Sequence, residues 1–336
     1  MRWKATLASV VFLGLVLVSM PSFAEVQNVR VGGDVTVRGF WRSNLDLHDE
    51  GGAREGGNAT LLDRDNFFMQ TTAVNIGADL TENVSATLRI ANERDWDSTG
   101  VEATGDVDLS QAYLTIKELF YSPLTLRLGT QPIVWGRGFV LGSNLLPSVN
   151  ALGNDRNASI TANEFTDFTA FDAIRATLDL SNLGGVNLPL TADYVYIKVD
   201  ENAAGGSDDV NIQGVNLSSR FDALNSEVEA YYLNKRDKTT TPAGSSTKTG
   251  SVNTLGFRGS TQPVEGAYLY GELAYQSGRR PVDPAGVLTT GDSVQAWATN
   301  LGAEYTLANV ATTPKIGGEW RFYSGKEAQP QGGAAA

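Results

Sequence analysis

The sequence predicts an all-β fold, a transmembrane antiparallel β-barrel with about 13 strands present. Three observations predict it. Apolar and polar side chains alternate with a period of two in repeated segments of about 10 to 14 residues. Helical periodicity is almost absent beyond the N-terminus. The connections between segments alternate between short and long, as they do when the two kinds lie at opposite ends of a barrel.

The chain opens with "MRWKATLASVVFLGLVLVSMPSFAEV". Arg2 and Lys4 precede an apolar run from Leu7 to Val18, and Ser22 and Ala24 supply the small residues of a cleavage site. Residues 1–24 therefore read as a secretory signal peptide, and 25–336 as the barrel. The run is too short for the roughly 20 residues of a spanning helix. The 336 residues include no cysteine and one histidine, and the formal charge is −12. Such an acidic chain is electrostatically unsuited to nucleic acid.

The expected strands are 31–42, 67–80, 84–96, 109–117, 124–131, 165–180, 190–199, 210–221, 227–235, 252–261, 266–276, 294–307 and 315–323. In 67–80, Phe68, Val74, Ile76 and Ala78 oppose Thr71, Asn75 and Asp79. In 84–96, Val84, Ala86, Leu88 and Ile90 oppose Thr87, Arg89, Glu93 and Asp95. Segments 165–180, 252–261 and 294–307 split the same way. Segment 190–199 alternates poorly, and its faces cannot be read from the pattern. Short links fall at 81–83, 118–123, 222–226, 262–265 and 308–314, and long ones at 43–66, 97–108, 132–164, 236–251 and 277–293. The links 181–189 and 200–209 are too similar in length to sort. The strands are about twice the usual sandwich strand, and no short β-helix repeat occurs. Trp41, Trp96, Tyr232 and Tyr305 stand near apolar strand ends, as in interfacial girdles.

Ionisable residues fall on the face opposite the apolar one. They are Arg38, Arg42, Arg89, Arg127, Arg175, Arg220, Arg258 and Arg321, with Asp34, Asp79, Glu93, Asp179, Glu229, Glu304 and Glu319. Arg or Lys facing lipid at mid-membrane costs about 2–4 kcal/mol, so these residues are expected inside. Two interior readings stay open. The charges pair across strands and merely fill the barrel, or an excess of arginine selects anions in a water-filled lumen. Arginine suits carboxylates because its planar fork meets them bidentately.

"WGRGFVLG", 135–142, begins the longest loop. Its glycines do not make a dinucleotide fingerprint, because the third falls one position late at Gly142 and no crossover helix follows. The loop is apolar enough to fold inward, which makes Arg137 a candidate constriction residue. No catalytic site is expected. His48 lies in a polar loop beside Asp46, Asp49 and Glu50, without a serine nucleophile motif. No cofactor is expected either. Asp95, Asp97, Thr99, Gly100 and Asp106, in loop 95–106, resemble part of a calcium loop; strands flank it rather than helices, so weak Ca²⁺ binding by an oxygen-rich external loop is the alternative to a plain acidic loop.

Several stretches in order resemble the alginate export family of outer-membrane porins. They are "LRLGTQPIVWGRGFVLG" at 126–142, "FDAIRATLD" at 171–179, "LGFRGS" at 255–260, "YGELAYQSG" at 270–278 and "GGEWRFYSGKE" at 317–327. Thr130, Phe139 and Lys326 stand where the family pattern has arginine, arginine and aspartate. The resemblance implies a complete barrel of 18 strands, so the sequence is expected to be C-terminally incomplete. It also implies passive, selective passage of an alginate-like anionic polysaccharide or small anionic solute across the outer membrane, with periplasmic export partners possible. A general substrate-specific porin and a structural or adhesive barrel are the alternatives.

Overall fold

The computed structural model describes residues 27–43, 64–96, 107–119, 123–142, 169–181, 189–200, 209–238, 249–279, 293–310 and 312–324. These form one antiparallel sheet of 13 strands whose spatial order is the chain order. The strands are β1 (Gln27–Ser43), β2 (Arg64–Asp79), β3 (Val84–Asp95), β4 (Asp108–Lys117), β5 (Leu124–Gln131), β6 (Phe171–Asp179) and β7 (Leu190–Asp200). They continue with β8 (Val210–Phe221), β9 (Ser226–Asp237), β10 (Gly250–Thr261), β11 (Ala267–Arg279), β12 (Ser293–Thr306) and β13 (Lys315–Tyr323). The expected segments match this series, with β5, β8 and β13 matching end for end. β6 starts later than expected: Thr169 and Ala170 lie outside it, and 165–168 fall outside the described residues. Among the described residues, no helix is long and apolar enough to cross a membrane, and the crossing elements are strands. β1 and β13 each keep one edge without a partner among the described residues.

Because the strands run up and down, every second connection lies at the same end. This sorts the two ambiguous links. The one after β6 joins the short connections, and the one after β7 joins the long ones.

Directly opposed residues of an antiparallel pair share a face. The register can therefore be followed across the sheet. Val215, Tyr232, Leu255, Tyr275 and Trp297 are successive partners from β8 to β12. All five are 43–47% exposed, which is an apolar stripe in contact with the surroundings. Ser218, Glu229, Arg258, Glu272, Asn300 and Arg321 are successive partners on the other face, from β8 to β13. A continuous apolar exterior around a charged inner face suits lipid outside and polar contents inside. The aromatic side chains of Trp41, Phe68 and Trp96 run edge to face and stacked across β1 to β3, at the long-connection end. Tyr232 is also on the exterior, but at mid-strand rather than at an end.

One sector of the inner face is apolar. Phe171, Ala173, Val195, Ile197, Tyr231 and Leu233 pack there against Ile133, Trp135 and Leu141 from the connection after β5. This explains the unreadable pattern of β7. Its inner Val195 and Ile197 meet protein instead of water, so they are as apolar as its outer Tyr194 and Tyr196.

The face assignment is testable on two adjacent residues of β3. Leu88→Arg puts a cation on the lipid side and is expected to cost about 2–4 kcal/mol in bilayer-embedded unfolding by denaturant. Thr87→Arg puts it inside and is expected to cost far less. Equal costs would contradict the assignment.

Candidate functional site

The site is built from β5 and the segment that follows it. Gln131, fully buried, ends the strand. Its Nε2 donates to the carbonyls of Arg127 (3.2 Å), Gly129 (3.3 Å) and Ala173 (2.9 Å). Pro132 cannot donate to a further ladder bond, and the chain turns onto the inner face. There the Trp135 N–H donates to the Leu141 carbonyl (2.9 Å), and the Gly138 N–H to the Trp135 carbonyl (3.0 Å). Gly136 has φ +61°, and a Cβ there would lie 2.8 Å from Glu272 Oε2 and 2.9 Å from Arg258 Cδ. A Cβ on Gly142 would lie 2.6 Å from Gly138 Cα. Only glycine lets this turn close and lie against the wall.

The turn reaches far across the concave face. The Gly136 N–H donates to Glu229 Oε2 in β9 at 2.9 Å. Arg137 donates to Glu304 Oε1 in β12 at 2.9 Å and sits 4.0 Å above the Tyr270 ring of β11. Phe139 packs on Tyr323 of β13, with ring centroids 5.6 Å apart. A connection between β5 and β6 can touch β9, β11, β12 and β13 only if the sheet curls strongly around it. Partial burial works against the Arg137 charge, but Tyr270, Glu304 and Tyr268 outweigh it and hold the guanidinium pKa above its ordinary value.

Most of the other sequence-predicted arginines are ion-paired. Arg38 reaches Glu93 at 3.9 Å, and Arg89 meets Asp34 at 2.9 Å. Arg175 makes a forked contact with Asp193, 3.1 Å from Nε and 2.6 Å from the terminal nitrogen, and Thr177 donates to the same carboxylate. Arg220 meets Glu227 at 2.8 Å, and Arg321 meets Glu319 at 2.6 Å. Arg258 is the most enclosed. It bridges Glu227 (3.0 Å) and Glu229 (2.6 Å) and donates to the Tyr268 hydroxyl (3.0 Å). Asp79 takes Arg30 at 3.5 Å, and Glu304 takes Lys315 at 3.3 Å besides Arg137. Arg42 pairs through its backbone with Asp65 of β2.

Arg127 differs. It lies directly opposite Arg175, a repulsive like-charge pairing. Asp193 neutralises Arg175 alone. Arg127 stacks over the Tyr113 ring at 5.1 Å, makes no ion pair among the described residues, and its buried Nε has no hydrogen-bond partner. Among the described residues it is a cation of this part of the wall without an ion pair.

The pattern reading missed Asp193, Glu227, Tyr268, Tyr270 and Glu272. Asp193 was hidden by the two-sided apolarity of β7. Glu272, 3% exposed and accepting from the Tyr231 hydroxyl at 2.7 Å, alternates with outward Leu269, Leu273 and Tyr275 and could have been read from them. His48, Asp46, Asp49, Glu50 and residues 97–106 of the calcium-like loop lie outside the described residues. Among the described residues, no cluster of three or more His, Cys, Asp or Glu side chains could hold a metal ion.

Trp135 is the apolar anchor of the turn, 2% exposed. Trp135→Ala is expected to remove about 3–5 kcal/mol of packing and release the turn from the wall. Single-channel conductance in planar bilayers should then rise. Unchanged conductance would put the turn outside the current path.

No curated protein matches the sequence. Among solved structures, OmpT of Vibrio cholerae is similar at TM-score 0.40 and 12% identity, over 89% of this chain and 89% of that one. A mutant of Rh. blastica porin is similar at 0.36 and 12%, over 87% and 94%. Salmonella typhi OmpF in complex with daunomycin is similar at 0.43 and 13%, over 88% and 89%. These likenesses are too distant to assign anything, and the fold rests on the strand order itself. The family model for alginate export matches residues 28–336, nearly the whole chain, and the protein belongs to that family.

Proposed function

We propose that this outer-membrane channel passes anionic solutes, an alginate-like polysaccharide or smaller anions, through a lumen in which Arg127 and Arg137 set the charge preference. The observation that carries the reading is the sorting of charge. The exterior of the sheet is apolar, the inner face carries the arginines and carboxylates, and the turn 132–142 crosses that inner face. Paired arginines contribute little net potential at a distance. Arg127 has no carboxylate partner among the described residues, and Arg137 shares Glu304 with Lys315. Several weak, exchangeable guanidinium contacts suit a polymer of repeated carboxylates, because each contact can pass to the next without a deep trap.

The reading is passive transport, with no covalent step and no resident cofactor. Roles for periplasmic partners are not needed by it. Arg38, Arg42, Arg89, Arg175, Arg220 and Arg321, with Asp79, Glu93, Glu304 and Glu319, act as the remaining charged wall, and Arg258 holds the wall together.

Reversal potentials in asymmetric salt test this directly. The unaltered channel is expected to prefer anions, and Arg127→Ala to shift the reversal potential toward cations. Arg258→Ala is expected to act differently. It leaves Glu229 without its cation in an enclosed setting, Glu227 keeping Arg220, and should cost about 3–5 kcal/mol of stability. Cation preference in the unaltered channel, untouched by Arg127→Ala, would overturn the anion reading.

A further inference from the structure

The inner wall is zoned along its length. The charged contacts of the turn use Glu229, Tyr268, Tyr270 and Glu304, which lie on the strand halves next to the short connections. The halves of β9 to β12 next to the long connections carry a different surface. There a 520 Å³ cavity lies between the turn and the wall, bounded by Val140, Leu141, Phe171, Ile212, Leu233 and Val252. Apolar side chains facing the inside of a charged lumen gain nothing from water. Part of this surface is covered by the turn itself, and the cavity is the part left open. Its volume is within the roughly 300–1,000 Å³ range of small-molecule sites.

The polar groups of the lining are biased in sign. Lys235 borders the cavity from the inner face, and Arg279, at the end of β11 on the outer register, borders it from the rim; neither makes an ion pair among the described residues. Asp237, also in the lining, has an interaction of its own and supplies one carboxylate against the two cations. Thr254 and Gln276 add neutral hydrogen-bonding groups, with the Gln276 amide donating to the Thr254 hydroxyl at 3.2 Å. An apolar chamber with two unspent cations complements one ligand chemistry.

We propose that this cavity is a binding site for a small amphipathic anion, an apolar or aromatic body carrying one carboxylate or sulfonate. The body fills the space between Val140 and Val252, and the anionic group meets Lys235 and Arg279. A polysaccharide, polar over its whole surface, does not use such a chamber. The site is therefore distinct from the arginine contacts proposed for transport, and it stands or falls independently of conduction.

Equilibrium dialysis of 1-naphthoate against the full chain in lipid nanodiscs tests it, with empty nanodiscs as the reference for lipid partitioning. The expected result is saturable binding of one 1-naphthoate per chain in excess of the reference. Acetate, which has the charge without the body, and 1-naphthylmethanol, which has the body without the charge, are expected to bind at least about tenfold more weakly. Val252→Asp should abolish the saturable component. The double variant Lys235→Gln and Arg279→Gln alters exposed side chains, is expected to fold normally, and should weaken binding about tenfold. No saturable binding by the folded, unaltered chain would overturn the proposal. So would binding that is unchanged in the folded double variant, or equal for acetate.

Discussion

The backbone hydrogen bond is the interaction on which the rest of this structure depends. In a bilayer core no water is present to satisfy a stray N–H or C=O, so every strand must find a partner on each side. Antiparallel neighbours in chain order meet that requirement at the lowest cost in loop length, and 13 strands follow it without exception. Pairing in turn fixes the alternation of faces. Once Leu255 points outward, its partners Tyr232 and Tyr275 must do so too, and Arg258 and Glu272 must point inward. β1 and β13 each keep one edge without a partner among the described residues, and the same requirement applies to those edges.

Turning charge inward creates a second problem, the cost of enclosing it. The wall solves this largely by pairing. Arg258 with Glu227 and Glu229, Arg175 with Asp193 and Arg89 with Asp34 are each compensated locally. Such pairs stiffen the wall more than they attract solutes, because breaking one leaves a charge without its partner. Pairing across the wall, the first of the two interior readings, is what most of the arginines show. Most arginines are paired within the wall, Arg137 at the tip of the turn is held by Glu304, and Arg127 makes no ion pair among the described residues. The turn is held by a different force. Ile133, Trp135 and Leu141 bury themselves against the wall, and the ionic contacts only orient the tip.

Much of this was legible in the sequence because a period of two is a strong signal when one face meets lipid and the other meets water. Arg89 between Leu88 and Ile90, or Arg127 between Leu126 and Leu128, could be assigned to a face from three residues. The signal failed where the inner face meets protein. In β7, Val195 and Ile197 face the turn, so both sides of the strand are apolar and Asp193 could not be placed. The partners of each charge were not legible at all, because they depend on register between strands. Nothing local marks Arg127 as unpaired and Arg175 as paired. That difference comes from Asp193, two residues along a neighbouring strand from the position directly opposite Arg175.

The central claim is that the turn after β5 crosses the inside of a curled sheet to reach β13. The chain has no native cysteine, so a pair of introduced thiols tests this without interference. In the Phe139→Cys, Tyr323→Cys double variant embedded in lipid, a short bifunctional thiol reagent is expected to join the two positions within one chain. Conductance should stay at its constricted level after the link forms, even when Trp135→Ala is added. Thiols that each react singly with the reagent but never join would contradict the account, because the turn would then lie away from β13.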